Sequence, residues 1–538
     1  MTFDSRHNEE YRFGSAAWAQ EQDLRRAGLL TPGGVHLGYF NGKPISLEGD
    51  TPLLTIGGAG SGKLRDLLGH VAINALGQPI LWLDPRGEIG AISIHVLAPA
   101  GQYGCYWNPM RIAGLPNHSL NPLDILDAQS ERFHADTKFI CEGLIALSGS
   151  ANGQYFELRA REWLGVIIKV LVEQHGWVSF PMLWRAINMI EGNPSEWADV
   201  LERMLASRFE DVRRVAAEML TKQQESPKEF GSILGEIYAH LSFLNDPVLL
   251  ASLEGGDFSL KDLCRRVPVT SVFLNVPGEY LRIWSPLIRV IVTVVQLYKS
   301  RDLTARRITV IMDEAGQLGR FEALLSGFTF GRGFGVRMWA LFQDIGQIVR
   351  NFDQTAVQSL MGSAQVRQFF GLRDFETAEL VSKMLGNETL SYDGYEYQQN
   401  AKREKWNAAR EALFGGDAFG QAFDYAHFKR NAEHRTKQGR PLLMPEEVFA
   451  LPENRQVLFI SGLDVNPILG EKYPYFERRE NAGRYLPNPM HRPADRVRIK
   501  TWLGHKWARV IDEPVPADWT GFPQYRDGRA LHVEGHRL

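Results

Sequence analysis

The stretch that most constrains the fold is "PLLTIGGAGSGKLRD", residues 52–66. Its first half is an apolar run ending in glycines, the pattern of a buried strand that runs into a loop. Gly57, Gly62 and Lys63 have the spacing G-x-x-x-x-G-K, in which backbone amides wrap a phosphate and the lysine reaches its outer oxygens. Leu64, Leu67, Leu68, Val71 and Ala75 then recur at helical spacing, which predicts a helix with one buried face. "PILWLDPRGE" (79–88) reads as a second buried strand, closed by Asp84-Pro85. Strand, glycine loop, helix, strand is a βαβ unit, the context that lifts a phosphate-loop match above chance. One position departs from the motif. After Lys63 it has a Ser or Thr whose hydroxyl holds Mg²⁺, and here Leu64 offers no lone pair.

Further buried strands follow at "VTSVFLNVPG" (269–278), "RRITVIMDE" (306–314), "VRMWALFQD" (336–344), "AQVRQFFGL" (364–372) and "RQVLFISGL" (455–463). Alternating with helices such as "SPLIRVIVTVVQLYKS", they predict an α/β fold with a mostly parallel sheet. Between them helical periodicity takes over, as in "YFELRAREWLGVIIKVLVEQ", and predicts an inserted all-α domain. The expected layout is residues 1–127 and 266–480 as the two parts of the nucleotide-binding domain, 128–265 as the helical insert, and 481–538 as a C-terminal extension. That extension is rich in Pro, Arg and Trp without a clear period. Residues 388–438, with Lys402, Arg403, Lys405 and Arg410 close together, read as a solvated helical linker in preference to a nucleic-acid contact.

Composition removes several alternatives. A net charge of -3 gives no global positive field, so nucleic-acid binding needs a local basic patch or a pore built from several subunits. Cys105, Cys141 and Cys264 are too scattered for a disulfide framework or a zinc cluster and read as buried free thiols. The N-terminus lacks the apolar core of a signal peptide. The longest apolar runs, 163–172 and 290–298, fall short of the ~18 residues of a membrane span, so a soluble chain is expected.

"ITVIMDE" (308–314) places Asp313 and Glu314 at the end of a buried strand. Beside a phosphate loop, such an Asp orients Mg²⁺ and the Glu polarises the attacking water. Gln343, ending the next strand, is placed to sense a γ-phosphate. Arg332 and Arg337, just before that strand, are both candidates for an arginine finger reaching a neighbouring subunit. No Ser-His-Asp, Cys-His or metal-ligand spacing is present; His118 and His134 read as surface or capping residues.

These blocks together resemble the type IV secretion coupling protein family (TraG/TraD type). The resemblance rests on "FGSAAWAQEQDLRRAGLL" with "GVHLGYFNGKPISLEGD", on "LDPRGE", "HSLNPLDIL" and "SVFLNVPGEYLRIWSPLIRVIV", and on "MDEAGQLGRFEALLSGFTFGRGFGVRMWALFQD". "RDFETAELVSKMLG" and "GRPLLMPEEVFALPENRQVLFISGL" extend it to Tyr475. The resemblance implies a RecA-like P-loop NTPase fold, ATP and Mg²⁺ as cofactors, and a hexameric ring. ATP would be held by Gly57, Gly58, Ala59, Gly60, Ser61, Gly62, Lys63 and Leu64, and the metal by Asp313. Glu314, Gln343 and Arg332 would be catalytic. It further implies DNA bound without sequence preference, relaxase or effector proteins as cargo, secretion-channel components as partners, and a cytoplasmic place that is peripheral at the inner membrane through those partners.

Three departures accompany the resemblance. Relatives open with transmembrane helices, which this sequence does not show. Their loops tend towards G-P-T-x-S-G-K-G or a Ser/Thr ending. "RDLL" stands where they carry small residues. Two functions therefore stand side by side: a coupling ATPase that drives substrate transfer, and a recruitment platform in which Leu64 leaves turnover slow or absent.

Overall fold

In a computed structural model the described residues are 11–148, 151–392, 403 and 436–536. The strands are β1 (Val35–Phe40), β2 (Lys43–Leu47), β3 (Leu53–Gly57), β4 (Ile80–Leu83), β5 (Gln102–Trp107), β6 (Val269–Leu274), β7 (Ile308–Met312) and β8 (Val336–Phe342). They continue with β9 (Val366–Phe370), β10 (Asn387–Tyr392), β11 (Thr436–Pro441), β12 (Arg455–Ile460), β13 (Ile468–Glu471), β14 (Arg496–Thr501), β15 (Gly504–Pro514) and β16 (Arg529–Val533).

One 11-stranded sheet organises the chain, in the order β2-β1-β13-β12-β9-β3-β8-β7-β4-β6-β5. From β9 to β5 the pairings are parallel, whereas β12, β13, β1 and β2 are joined by antiparallel pairings. The expected α/β class with a mostly parallel sheet is the one observed, and the antiparallel edge adds to it. The central strands are apolar runs because both faces are covered: every residue of β3, β4, β6, β7 and β8 is buried.

Between β5 and β6 the described chain is helical, with Phe133–Leu144, Ala151–His175, Phe180–Gly192, Pro194–Leu205, Glu210–Glu225 and Pro227–Leu241 as its main helices. Local signals set their starts. The Ser179 hydroxyl accepts from the Met182 amide, Asn193 accepts from the Glu196 amide, and prolines follow in the first turn of both helices. Trp163, Ile167 and Leu183 share one continuous core with Leu274, Leu287 and Ile291, and the helix Ser285–Arg301, which carries Leu287 and Ile291, joins the inserted helices to the sheet.

Two segments differ from expectation. Residues 388–438 are not simply a helical linker: their ends form the antiparallel pair β10–β11, and Lys402, Lys405 and Arg410 lie outside the described residues. The extension 481–538 is a three-stranded antiparallel sheet, β14-β15-β16, whose buried Val497, Ile499, Ala508 and Val533 pack against Ile73 and Ile92 on the helices that follow β3 and β4. Its period-two signal, apolar Val497 and Ile499 between Arg496, Arg498 and Lys500, is short and hidden among cations. His118 is also corrected. It is buried, accepting from the Tyr106 amide at 2.9 Å and donating to the Pro523 carbonyl at 2.9 Å, and it ties the sheet to the C-terminal segment. Cys105, Cys141 and Cys264 are buried free thiols, and no helix among the described residues is long and apolar enough to cross a membrane.

Candidate functional site

Adjacent parallel strands bring the motif residues together. β3, β8, β7 and β4 are neighbours in that order, with Ile56 opposite Phe342, Ala340 opposite Met312, and Met312 opposite Leu83. Their C-terminal ends therefore deliver the 57–64 loop, Gln343, Asp313 and Asp84 side by side. This is where ligands bind in open α/β sheets.

The loop is tightly built. A Cβ on Gly58 would lie 2.1 Å from the Gly371 carbonyl oxygen, so the turn after β9 can lie against the loop only if residue 58 is glycine. Gly62 has a φ of +84°, the left-handed region, and there leads the chain into the following helix. Lys63 is buried and donates to the Gly57 carbonyl at 3.1 Å, with Glu314 Oε1 3.5 Å away. Ser61 Oγ is buried without a hydrogen-bond partner. A helix follows as expected, but its first turn, Lys63–Leu68, is the wider π form before regular α-helix at Gly69–Asn74. Leu67, Leu68 and Val71 are buried as the stripe predicts. Leu64 is half-buried and packs against two cores at once, that of the sheet and that of the C-terminal strands.

Glu314 takes a left-handed backbone, φ 60° and ψ 39°, a conformation that costs a non-glycine residue of order 1 kcal/mol or more and concentrates at functional sites. Its Oε2 accepts from Gln343 Nε2 at 2.8 Å. Arg332 and Arg337 are not with them. β8 is seven residues long, so its start lies ~20 Å from Gln343. There Arg332 is 68% exposed and 3.3 Å from Asp50, while Arg337 is buried with its pKa lowered to about 10, chiefly by desolvation. Only Arg332 of the two is free to reach a neighbouring molecule.

The carboxylates are electrostatically strained. Burial, then the Glu314 charge, pushes Asp313 up to about 6, against the pull of Lys63 and Arg86. Asp84, which sequence reasoning left without a role, is pushed up to about 7 by burial, with Glu88 and Asp313 adding to the rise. Its Oδ2 accepts from the Gly90 amide at 2.9 Å and from Asn275 Nδ2 at 3.2 Å. A buried carboxyl at Asp84 and a half-buried one at Asp313, both raised towards the neutral form, suit a site completed by a cation.

Three cations were also missed. Arg86 is exposed on the turn after β4, close enough to lower the Asp313 pKa. Arg373, after β9, lies along the loop: a Cβ on Gly60 would come 3.7 Å from its Nη2. Lys472 is buried behind the loop, donates to the Ser61 carbonyl at 2.7 Å, stands 3.5 Å from Asp66 Oδ2 and caps the Phe370 ring at 3.9 Å. Burial lowers its pKa to about 8 despite Asp66. Arg86 and Arg373 stand in the blocks "LDPRGE" and "RDFETAELVSKMLG", where no role was assigned to them, whereas only the fold brings residue 472 back to residue 61.

The profile of the family described as "Type IV secretory system Conjugative DNA transfer" matches residues 17–500. Protein VirD4 of Rhizobium rhizogenes is 24% identical over 490 residues, covering 88% of this chain and 67% of its own length. Conjugal transfer protein TraG of Escherichia coli is 24% identical over 434 residues, 71% of this chain and 65% of its own length. The chain thus spans about two thirds of these relatives. Among solved structures, the bacterial conjugative coupling protein TrwBdeltaN70 superposes with a TM-score of 0.59 at 16% identity, covering 86% of this chain and 97% of that one. Plasmid coupling protein TrwB in complex with ADP and Mg²⁺ gives a TM-score of 0.54 at 17% identity, over 85% and 94% of the two chains. These likenesses carry the RecA-like fold, and with the match over 17–500 they show that the chain belongs to the type IV secretory conjugative DNA transfer family, the coupling proteins.

Proposed function

We propose that the chain is a coupling ATPase: it binds ATP with Mg²⁺ at the 57–64 loop, hydrolyses it, and uses the cycle to pass DNA or protein substrates to a secretion channel. The observation that carries this reading is the position of Glu314, between Lys63 Nζ at 3.5 Å and Gln343 Nε2 at 2.8 Å. A phosphate-binding cation, a water-activating carboxylate and an amide that can report on the γ-phosphate meet at one point, from three strand ends.

The residues fit the group they would hold. Lys63 is satisfied by the Gly57 carbonyl and by Glu314, interactions that phosphate oxygens can replace. Loop amides from Gly58 to Lys63 would line the phosphates, and Asp313 would hold Mg²⁺, which when bound neutralises phosphate charge as a Lewis acid. With Lys63 turned to phosphate, Glu314 is free to accept a proton from water, and Gln343 keeps its carboxylate aimed. Arg332, exposed at the far end of the sheet, would complete the site of an adjacent subunit in a ring, the hexamer that the resemblance implies.

Leu64 favours a second reading, a recruitment platform with weak or absent turnover, because no side-chain hydroxyl follows Lys63 to hold the metal. Steady-state ATP hydrolysis, with and without single-stranded DNA, separates the two. The ATPase reading expects turnover in the wild type that Lys63→Ala and Glu314→Gln abolish. A wild-type rate no higher than either variant leaves only the platform.

A further inference from the structure

The C-terminal sheet contains a surface that the nucleotide site does not use. In the hairpin β14–β15, Arg496 faces Arg509, Arg498 faces Trp507 and Lys500 faces His505. Directly paired residues share a face, and the alternate residues Val497, Ile499 and Ala508 are buried, so this set looks outward. Like charges opposite one another, as in Arg496 and Arg509, destabilise a strand pair. Four Lys/Arg side chains and a histidine thus surround Trp507, which is 56% exposed and has the Arg496 guanidinium 5.8 Å from its ring centre. At the hairpin tip Trp502 is 87% exposed, with Arg479 over one ring face at 3.4 Å.

Asp495, Glu477, Glu480 and Glu534 are the acids beside these cations, and Glu480 is engaged by Arg478 at 2.8 Å. Asp495 lies 3.5 Å from Arg496. Glu477 lies 2.7 Å from His505, 3.4 Å from Arg498 and 3.8 Å from Lys500, a single carboxylate shared by two cations and an imidazole. In a chain of net charge -3, this is the local basic patch that nucleic-acid binding requires.

We propose that the outward face of β14–β15 binds single-stranded nucleic acid. Residues two apart along a strand stand ~6.8 Å from each other, so Arg496, Arg498 and Lys500 form a row along which an extended phosphate backbone can run. The open Trp507 and Trp502 rings give bases a flat surface to stack on, without sequence preference. An anionic membrane would also attract these cations. Bilayer insertion, however, uses the tip and leaves Trp507 and Arg509, several residues back along β15, without a role. Glu477 holds the cations together until phosphate displaces it. The inference rests on the reading of the chain as a DNA-handling protein and names a surface for it outside the large sheet.

The test uses the full chain, a fluorescent 20-nucleotide oligo(dT) and anisotropy titrations without nucleotide, from 50 to 200 mM salt. With four phosphate contacts, log K should fall against log salt with a slope of about -3, each contact contributing ~0.7. The double variant Arg498→Gln, Arg509→Gln should lower that slope by about 1.4 and weaken binding at least tenfold. Trp507→Ala should weaken binding at unchanged slope, and Glu477→Gln should tighten it. Thermal melts and ATP hydrolysis without DNA should be unchanged in all of them. Unchanged affinity and slope in the double variant overturns the surface while leaving DNA handling intact. Absence of oligonucleotide binding by the wild type overturns both. Vesicles of phosphatidylglycerol against phosphatidylcholine give the remaining arm: variants that lose only phosphatidylglycerol binding reassign the face to membranes and overturn the proposal.

Discussion

Gln343 donates its side-chain amide to Glu314 Oε2 at 2.8 Å, which joins the ends of two neighbouring strands through the carboxylate that faces Lys63. Gln343 is itself held, because its backbone amide donates to Gln347 Oε1 at 3.0 Å on the helix that follows. Movement of that helix therefore reaches Glu314 through one side chain. General-base removal typically costs 10²–10⁴-fold, so Glu314→Gln should lower kcat by about that much and leave ADP affinity within about twofold. Gln343→Ala should lower kcat by ~10-fold, because Glu314 keeps its place but loses its aim. Stopped turnover with equally lost ADP affinity in Glu314→Gln would show a structural role instead.

Asp313 makes the protein's stability pH-sensitive. Its carboxyl is raised from 3.8 to about 6 in the folded protein, so between those values the unfolded chain has released a proton that the native one keeps. Stability therefore falls as pH rises through that window. The full shift corresponds to ~3 kcal/mol, and because part of Asp313 still meets solvent about 1–2 kcal/mol is expected. Nucleotide-free Asp313→Asn should melt about 1–2 °C higher than wild type at pH 7.5 and nearly equal to it at pH 4. Equal melting temperatures at both values refute this account of the site.

The parts of the fold legible in the sequence are those whose signal is local. β7 and β8 are unbroken apolar runs, and the loop after β3 has a fixed spacing, so strands, loop and the Asp313–Glu314 pair could be placed from residues alone. β1 and β2 could not, because at the antiparallel margin of the sheet they mix polar and apolar residues around Gly38 and Pro44. β14–β16 were hidden for a related reason: only one face is buried, and the other carries arginine and tryptophan. Asp84 and Lys472 reach the site through tertiary folding, one from an adjacent strand and the other from more than 400 positions beyond the loop, and no spacing rule reports either.

Lys472 holds the phosphate loop from behind. Charged hydrogen bonds contribute about 1.5–3 kcal/mol, and this one fixes the Ser61 carbonyl and, through Asp66, the first turn of the helix. Lys472→Met keeps the packing on Phe370 but leaves the carbonyl unpartnered, so ADP affinity measured by calorimetry should fall about tenfold. Lys472→Arg should recover part of it. Full affinity in Lys472→Met would mean the loop holds its shape by glycine geometry alone.

Leu64 bridges two cores and carries no metal ligand. Leu64→Thr trades apolar contacts for a hydroxyl. The lost burial should lower stability by about 1–2 kcal/mol, because the side chain is only half-buried and so loses less than a full core truncation. In exchange, the Mg²⁺ concentration that half-saturates ATP hydrolysis should fall severalfold. If it does not move, water or Asp313 already completes the metal site, and Leu64 is a packing residue without catalytic cost.

Arg332 separates a shared site from a self-contained one. It lies in the last turn of the helix Glu322–Phe334 that leads into β8, a strand's length from its own Glu314, and pairs with Asp50 on the surface. Exposed ion pairs contribute about 0–1 kcal/mol, so Arg332→Ala should fold normally. If Arg332 serves a neighbour, the variant should lose 10³-fold or more in ATP turnover, the scale of an arginine finger, while each subunit still binds ADP. Lys63→Ala is inactive for the opposite reason, since its loop fails but its Arg332 remains. Mixing the two inactive proteins should restore activity, because some interfaces then join an intact loop to an intact arginine. Restored turnover that peaks near equal proportions and vanishes on dilution establishes a composite site. Two dead proteins that stay dead when mixed, under conditions where wild type assembles, would place the stabilising cation within the chain, where Arg86 and Arg373 already border the loop.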